Sequence, residues 1–329
     1  MRILLCIRDD YVKNFAGDSM QVLKTAEYLR KLGVKVYIND GRIVDYSNYD
    51  IIHLFNLTRI TETYRYYKIA CKYKKYIVIS PIYWDLLKYY VHVNDKENIN
   101  VWKKYELYRK EILYGCKRIY PNSKIEKELL NKEYGKRLPC TVIYNGVDIL
   151  NNKYNIYNFK KKYKLNDYVL CAARICPRKN QLALAKACKE LGYKLVLIGN
   201  INNRKYYKYC IKYKNVRYLG FMNSNNLYSA YSCARVHVLP SFLETPGLTS
   251  LEAAALGCNV VSTEIGSARE YFQDLALYYN PYKENEILDI VDKGFKRDKN
   301  DTLKKHVIKN YSWDVCIKEL YKSYRDMLK

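Results

Sequence analysis

Two glutamates carry the strongest chemical signal in the chain. Glu244 and Glu252 are separated by seven residues within Leu239–Glu270, LPSFLETPGLTSLEAAALGCNVVSTEIGSARE. An ionised carboxylate accepts two hydrogen bonds at once, so glutamates in this setting suit the vicinal hydroxyls of a sugar or a ribose. Between them Gly247 admits a close backbone approach, and a helix starting near Leu248 presents unsatisfied N–H groups at its positive dipole end. A diphosphate fits such a helix start. Taken alone, the same residues also describe a solvated loop carboxylate beside a helix-start carboxylate, or the acid and nucleophile of a glycosidase.

A second cluster lies upstream, Ala173-Arg174-Ile175-Cys176-Pro177-Arg178-Lys179-Asn180, where Arg174 and Lys179 are either phosphate-binding cations or an ordinary surface charge run. Metal chemistry has little support. The eleven cysteines occur singly from Cys6 to Cys316 without CxxC spacing, and His53, His92, His237 and His306 are isolated. His237, between Val236 and Val238, reads as a strand residue.

The elements that must hold these residues alternate strand and helix. Arg2–Ile7, Val34–Ile38, Ile51–Phe55, Tyr76–Ser80 and Arg118–Tyr120 read as buried strands, with helices over Ser19–Leu32, Thr61–Lys75 and Lys124–Leu130, the last capped by Ser123. Asn151–Lys164 reads as a linker plus a surface helix. The alternation restarts with strands at Val169–Ala172, Lys194–Ile198, Val216–Tyr218, Val236–Leu239 and Asn259–Ser262, and helices at Gln181–Leu191, Asn225–Cys233 and Leu248–Ala255. A chain of 329 residues suits two domains of roughly 150 residues each. The alternation predicts an α/β protein of two doubly wound domains, with a binding crevice outside the C-terminal ends of the strands.

These segments, in this order, resemble glycosyltransferase family 4. The proline-serine, the two glutamates and the alanine-rich helix of Leu239–Glu270 are similar to its donor-binding motif. Arg174 and Lys179 stand in its Gly-Arg-…-Lys-Asn element, and VIYNGVD (142–148), Leu197-Ile198-Gly199, NVRYLG (215–220) and Tyr311-Ser312-Trp313-Asp314 also match. The resemblance implies the GT-B fold, two Rossmann-like domains facing a central cleft: an acceptor-binding domain over 1–150, a nucleotide-sugar-binding domain over 151–310, and a C-terminal helix over 311–329 that crosses back to the first. It implies a retaining transfer in which Arg174 and Lys179 hold the donor diphosphate, Glu244 lies against the donor sugar, and Glu252 grips the ribose. Pro246, Gly247, Leu248 and Thr249 would surround sugar and phosphates, Gly17 would mark the acceptor-side loop, and no cofactor or metal is needed.

The sequence departs from the family at three places. Thr245-Pro246-Gly247 replaces a common Gly-Phe-Gly, Gly17 stands alone where several glycines are usual, and the strand end that often carries a histidine reads Ser80-Pro81-Ile82-Tyr83-Trp84-Asp85. Which group takes the histidine's place is open.

Charge is the compositional outlier, +25 in all, with +10 in residues 1–150 and +15 in the remainder. Such an excess attracts nucleic acid, anionic lipid or acidic substrates without choosing among them. Its even spread gives no sign of the basic stripe a nucleic-acid-binding protein needs, so no nucleic acid is expected. The expected partners are a nucleotide diphosphate sugar and a glycan, lipid-linked or protein acceptor. Met1–Ile7 reads as a strand rather than an export signal and the thiols suit a reducing compartment, so the expected location is cytoplasmic. The basic, tyrosine-rich segments Thr61–Lys75 and Val101–Arg118 are solvated helix faces or contacts to an anionic membrane surface.

Overall fold

The computed structural model describes residues 1–135, 137–149, 154–283 and 285–329. Its contacts divide the chain into two units, Met1–Asn145 with Trp313–Lys329, and Gly146–Ser312.

Unit 1 is built on five parallel strands, β1 (Arg2–Cys6), β2 (Lys35–Asn39), β3 (Ile51–Phe55), β4 (Tyr76–Ser80) and β5 (Arg118–Ile119), in the order β2-β1-β3-β4-β5. The helices are α1 (Gly17–Lys31), α2 (Ile60–Lys72), α3 (Leu87–His92), α4 (Lys96–Lys104), α5 (Glu106–Gly115) and α6 (Lys124–Tyr134). Every residue of β3 is buried, as a central parallel strand covered on both faces requires. Gly33, at φ +79, ends α1 in the left-handed conformation that glycine adopts without penalty. The Ser123 hydroxyl caps α6 by accepting from the Glu126 amide at 2.9 Å. Buried Glu126 in turn accepts from the amides of Asn122 and Tyr83, each at 2.6 Å.

Unit 2 opens with α7 (Phe159–Tyr163) and holds six parallel strands: β6 (Tyr168–Ala172), β7 (Lys194–Ile198), β8 (Val216–Tyr218), β9 (Val236–Leu239), β10 (Asn259–Thr263) and β11 (Leu277–Tyr279). Their order is β11-β10-β9-β6-β7-β8. Its helices continue with α8 (Gln181–Glu190), α9 (Arg204–Cys210), α10 (Ser224–Cys233), α11 (Leu248–Ala255), α12 (Ala268–Phe272), α13 (Glu286–Lys296) and α14 (Thr302–Asn310). The last helix, α15 (Trp313–Leu328), packs on α1 and so belongs to unit 1. There Tyr324 hydrogen-bonds to the fully buried His53, whose other ring nitrogen meets Ser80 Oγ at 3.0 Å. Burial pushes the His53 imidazole down to about 3, so it stays neutral.

The stretch expected as linker plus surface helix includes residues 151–153, which lie outside the described residues, and its helix is α7, with Lys161 and Lys162 exposed and Phe159 anchoring the inner face. The chain enters and leaves unit 2 side by side, with the Val147 amide donating to Tyr311 O at 2.7 Å. Among the described residues no helix is long and apolar enough to cross a membrane.

Candidate functional site

All six strands of unit 2 run parallel, so the loops that follow them emerge at one edge of the sheet. After β6 the chain passes Ala173 and Arg174, makes a single 3-10 turn at Pro177–Lys179, and enters α8 through Asn180 at φ +54. Proline suits the first position of that turn because its fixed φ is helical and no partner is needed for the missing N–H. The Gln181 side chain donates to Arg174 O at 2.8 Å, and the Ile175 amide donates to Asn200 O at 2.8 Å, tying this loop to the one after β7. Gly199 sits at φ +141 where a Cβ would lie 2.1 Å from Ala173 O. Only glycine lets the two loops approach that closely.

The loop after β9 is stitched on both sides. The Phe242 amide donates to Arg178 O at 3.0 Å and Arg178 Nη1 donates to Leu243 O at 3.3 Å, which fixes it to the β6 loop. On the other side the Glu244 amide donates to Ile265 O at 3.1 Å, and the Ser267 amide donates to Glu244 O at 3.0 Å. Gly266, at φ +120, leaves only 1.9 Å between a built Cβ and Glu244 O. Backbone bonds therefore hold Glu244 from two directions.

Its carboxylate forms a buried ion pair with Lys179, the side chains being 7% and 13% exposed. Glu244 is the one ion-pair partner of Lys179 among the described residues. Burial pushes the Lys179 ammonium below its usual range, against the opposing pull of the Glu244 charge. Beyond the cis Thr245–Pro246 bond, Gly247 caps α11 at φ +90, where a Cβ would lie 2.9 Å from Leu239 Cδ2 and 3.4 Å from Glu244 Oε2. The N-terminal turn of α11 thus starts beside the ion pair. Its amides and the ammonium present positive potential at one spot, an arrangement that attracts phosphate oxygens.

Glu252 lies one turn into α11, half-buried, and accepts from Tyr231 Oη of α10 at 3.2 Å. Ser250 of the same turn meets His237 Nδ1 at 3.4 Å, while His237 Nε2 accepts from the Ala172 amide at 3.4 Å. The His237 imidazole is pushed down to about 3 by burial and then by the Lys179 charge, and is neutral. It is the strand residue the sequence suggests. Among the described residues no three His, Cys, Asp or Glu side chains converge as metal ligands.

The structure brings together Lys179, Glu244, Pro246, Gly247, Leu248 and Thr249, with Glu252 on the next turn and Arg174 half-buried in the adjoining loop. Glu244, at 6% exposure, is no solvated loop carboxylate. Gly17 lies in unit 1, as the exposed first residue of α1. The loop before it is organised by a residue absent from the expectations, Arg8, which is 3% exposed. Arg8 donates to both Asp18 oxygens at 2.8 and 3.0 Å, to Asp10 at 2.5 Å, to Asn14 O at 2.8 Å and to Ser19 Oγ at 2.9 Å. Tyr83, in the segment where a histidine is common in family 4, is 1% exposed and donates to Glu133 at 2.5 Å. The other residues the sequence did not single out for the site are Gly266 and Tyr231, and Gly199 of the matching Leu197-Ile198-Gly199 element gains its role from the close approach to Ala173. Gly199 had a readable signal in closing the apolar run Leu195–Ile198, whereas nothing in the sequence marks Tyr231 among 38 tyrosines.

Comparison with known proteins agrees with this fold. Residues 154–311 match the family described as Glycosyl transferases group 1. An uncharacterised glycosyltransferase of Methanocaldococcus jannaschii is 29% identical across 56% of this chain and 53% of its own, so the chain spans about half the length of that relative. Among solved structures, sucrose-phosphate synthase from Thermosynechococcus elongatus superposes with a TM-score of 0.83 at 16% identity, covering 100% of this chain and 99% of that one. An Anabaena protein solved in complex with UDP-glucose gives 0.73 at 16% identity, covering 99% and 100%. The fold is the GT-B fold of these structures, and residues 154–311 match the family model of glycosyl transferases group 1.

Proposed function

We propose that the protein is a retaining glycosyltransferase of family 4 that moves a sugar from a nucleoside diphosphate sugar to an acceptor hydroxyl of a glycan, a lipid-linked glycan or a protein. The observation that carries this reading is the buried Lys179–Glu244 pair set beside the start of α11. In the transfer, the bond between the anomeric carbon and the leaving phosphate oxygen breaks while the acceptor oxygen bonds to that carbon on the same face. The acceptor proton passes to the departing phosphate. Charge builds on the phosphate oxygens as the carbon becomes oxocarbenium-like, so the largest catalytic contribution is electrostatic stabilisation of the leaving group. Arg174, Lys179 and the amides of Leu248 and Thr249 supply it, with no metal or cofactor taking part. Glu244 accepts from hydroxyls of the donor sugar, Pro246 and Gly247 wall the phosphates, and Glu252 accepts from the ribose.

UDP-glucose, the ligand of the Anabaena protein, is the natural first donor to test. Calorimetric titration of UDP and UDP-glucose into Glu244→Gln and Glu252→Gln separates the two glutamates. Glu252→Gln weakens both ligands together, and Glu244→Gln weakens only UDP-glucose. Equal loss of UDP affinity in both variants overturns this division of roles, and chelator that abolishes transfer overturns the metal-free chemistry.

A second observation bears on where the enzyme works. On α4 and α5 the exposed residues Lys103, Leu107, Lys110 and Tyr114 recur at three- to four-residue spacing, with Leu107 76% exposed. A cationic stripe with apolar and aromatic members suits peripheral contact with an anionic membrane. This reading places a cytoplasmic enzyme at the inner membrane face, its Gly17 loop turned to the acceptor. Sedimentation with anionic vesicles exceeds that with neutral ones and falls with salt. Equal sedimentation with both overturns it.

A further inference from the structure

We infer that Tyr231 is the positioning residue that fixes the Glu252 carboxylate for ribose recognition, an inference that rests on the ribose role proposed for Glu252. A glutamate side chain has three rotatable bonds, and one projecting from a helix spreads its carboxylate over many positions unless something holds it. Tyr231 supplies one such hold. Tyr231 is fully buried on α10, and its hydroxyl donates to Glu252 Oε2 at 3.2 Å.

The tyrosine is itself held from two sides. Its ring stands edge-on to the His237 ring, with centroids 5.4 Å apart at 81°, and its hydroxyl is committed to Glu252. The same histidine contacts Ser250 on α11 and the Ala172 amide at the end of β6. One buried chain of contacts therefore sets the height of α11, the end of β6 and the direction of the Glu252 carboxylate. Burial and the adjacent Glu252 charge both keep the phenol protonated and so a donor. A carboxylate has about four lone-pair directions. Accepting one hydrogen bond from Tyr231 is compatible with receiving both hydroxyls of a ribose cis-diol. The tyrosine touches no substrate in this scheme and acts only through Glu252.

The test titrates UDP and GDP into the parent protein, Tyr231→Phe, Glu252→Gln and the double variant, and repeats the better-bound nucleotide in 2′,3′-dideoxy form. Phenylalanine keeps the ring against His237 and removes only the hydroxyl. Tyr231→Phe is expected to bind the ribonucleotide about tenfold more weakly, as loss of a hydrogen bond to a charged group implies. That penalty vanishes in the Glu252→Gln background and with the dideoxy nucleotide, because the carboxylate no longer has a ribose diol to direct. A role in packing alone predicts the same loss for both nucleotides, and that result overturns the inference. If Glu252→Gln costs affinity while Tyr231→Phe does not, the positioning role falls and the ribose reading stands. If Glu252→Gln costs nothing, both fall. Should Tyr231→Phe fail to fold, 3,5-difluorotyrosine at position 231 keeps the hydroxyl and makes it a stronger donor. It is expected to tighten ribonucleotide binding about twofold to threefold, with unchanged affinity counting against the proposal.

Discussion

Arg8 with Asp18 in unit 1, and Lys179 with Glu244 in unit 2, are both buried ion pairs near strand ends of a parallel sheet, yet their surroundings differ in kind. The guanidinium of Arg8 has five hydrogen-bonded contacts to Asp18, Asp10, Asn14 and Ser19, and Asn56 adds a donor to Asp18 at 3.1 Å. Burial works against that charge, but the Asp18 and Asp10 carboxylates outweigh it and hold Arg8 above its usual range. Asp18 is held below its own range, since the Arg8 bonds and charge outweigh its burial. Among the described residues Lys179 has Glu244 as its one ion-pair partner and lies below its range, burial and the nearby Arg178 charge outweighing the pull of Glu244. An ammonium has three donors. A saturated pair of this sort locks a loop, while a pair with one member under-satisfied has capacity left for an arriving anion.

That contrast is tested first at Lys179. Lys179→Ala should lower kcat in a donor-hydrolysis or transfer assay about a hundredfold, or about 3 kcal/mol, the scale of losing one preorganised donor to a developing oxyanion. Arg174→Ala should act in the same direction. A loss confined to KM removes the leaving-group role, because a group that binds substrate and transition state equally leaves kcat untouched.

The Arg8 pair should behave in the opposite manner. Asp18→Asn is expected to destabilise the fold by about 2 kcal/mol at pH 7, less than a fully orphaned buried charge because Asp10 stays in place. UDP affinity in unit 2 should not change. A carboxylate whose folded pKa lies below its unfolded value stabilises in full above the unfolded value near 4, and that stabilisation is lost as pH falls through the folded value. The gap between parent and variant in urea melts should therefore narrow from pH 7 to pH 3. A constant gap would show that the charge of Asp18 is not what stabilises.

The smallest effect is expected at Tyr324. Tyr324→Phe removes one neutral hydrogen bond to His53 and should cost about 1 kcal/mol, with no change in kcat. A large fall in activity would mean that the buried polar groups of unit 1 matter to chemistry and not only to packing.

Much of this architecture was legible from residue type. Strands Ile51–Phe55, Tyr76–Ser80, Lys194–Ile198, Val216–Tyr218 and Val236–Leu239 and helix Leu248–Ala255 are observed with the predicted bounds, the strands because pairing in a covered parallel sheet favours short, largely apolar runs. The helices α3 to α5 are harder to read, since tyrosine and lysine fill buried and exposed positions alike: Lys103 is exposed while neighbouring Trp102 is buried. Strand β11 and helices α12 to α14 have no counterpart among the sequence expectations. Strand β11 is only three residues long, and two of them are partly exposed. At the site, Lys179 and Glu244 could be named from their motifs, but their contact spans 65 residues and depends on loops sewn together by backbone. No local pattern encodes that. Tyr231 acts through the packing of α10 on α11, which only the folded chain displays.

The helix α15 also fixes an order of events. Unit 2 is a contiguous segment, Gly146–Ser312, whereas unit 1 needs Trp313–Lys329 to complete its packing on α1 and to give His53 its partner. During synthesis, domains generally fold as units once their chain is available. The segment translated first must therefore wait, with the α15-facing side of α1 uncovered, until the residues that follow unit 2 have left the ribosome. Unit 2, begun later, is finished sooner. A released chain ending at residue 312 should hold a folded unit 2 and an unfinished unit 1 that is open to chaperones and proteases.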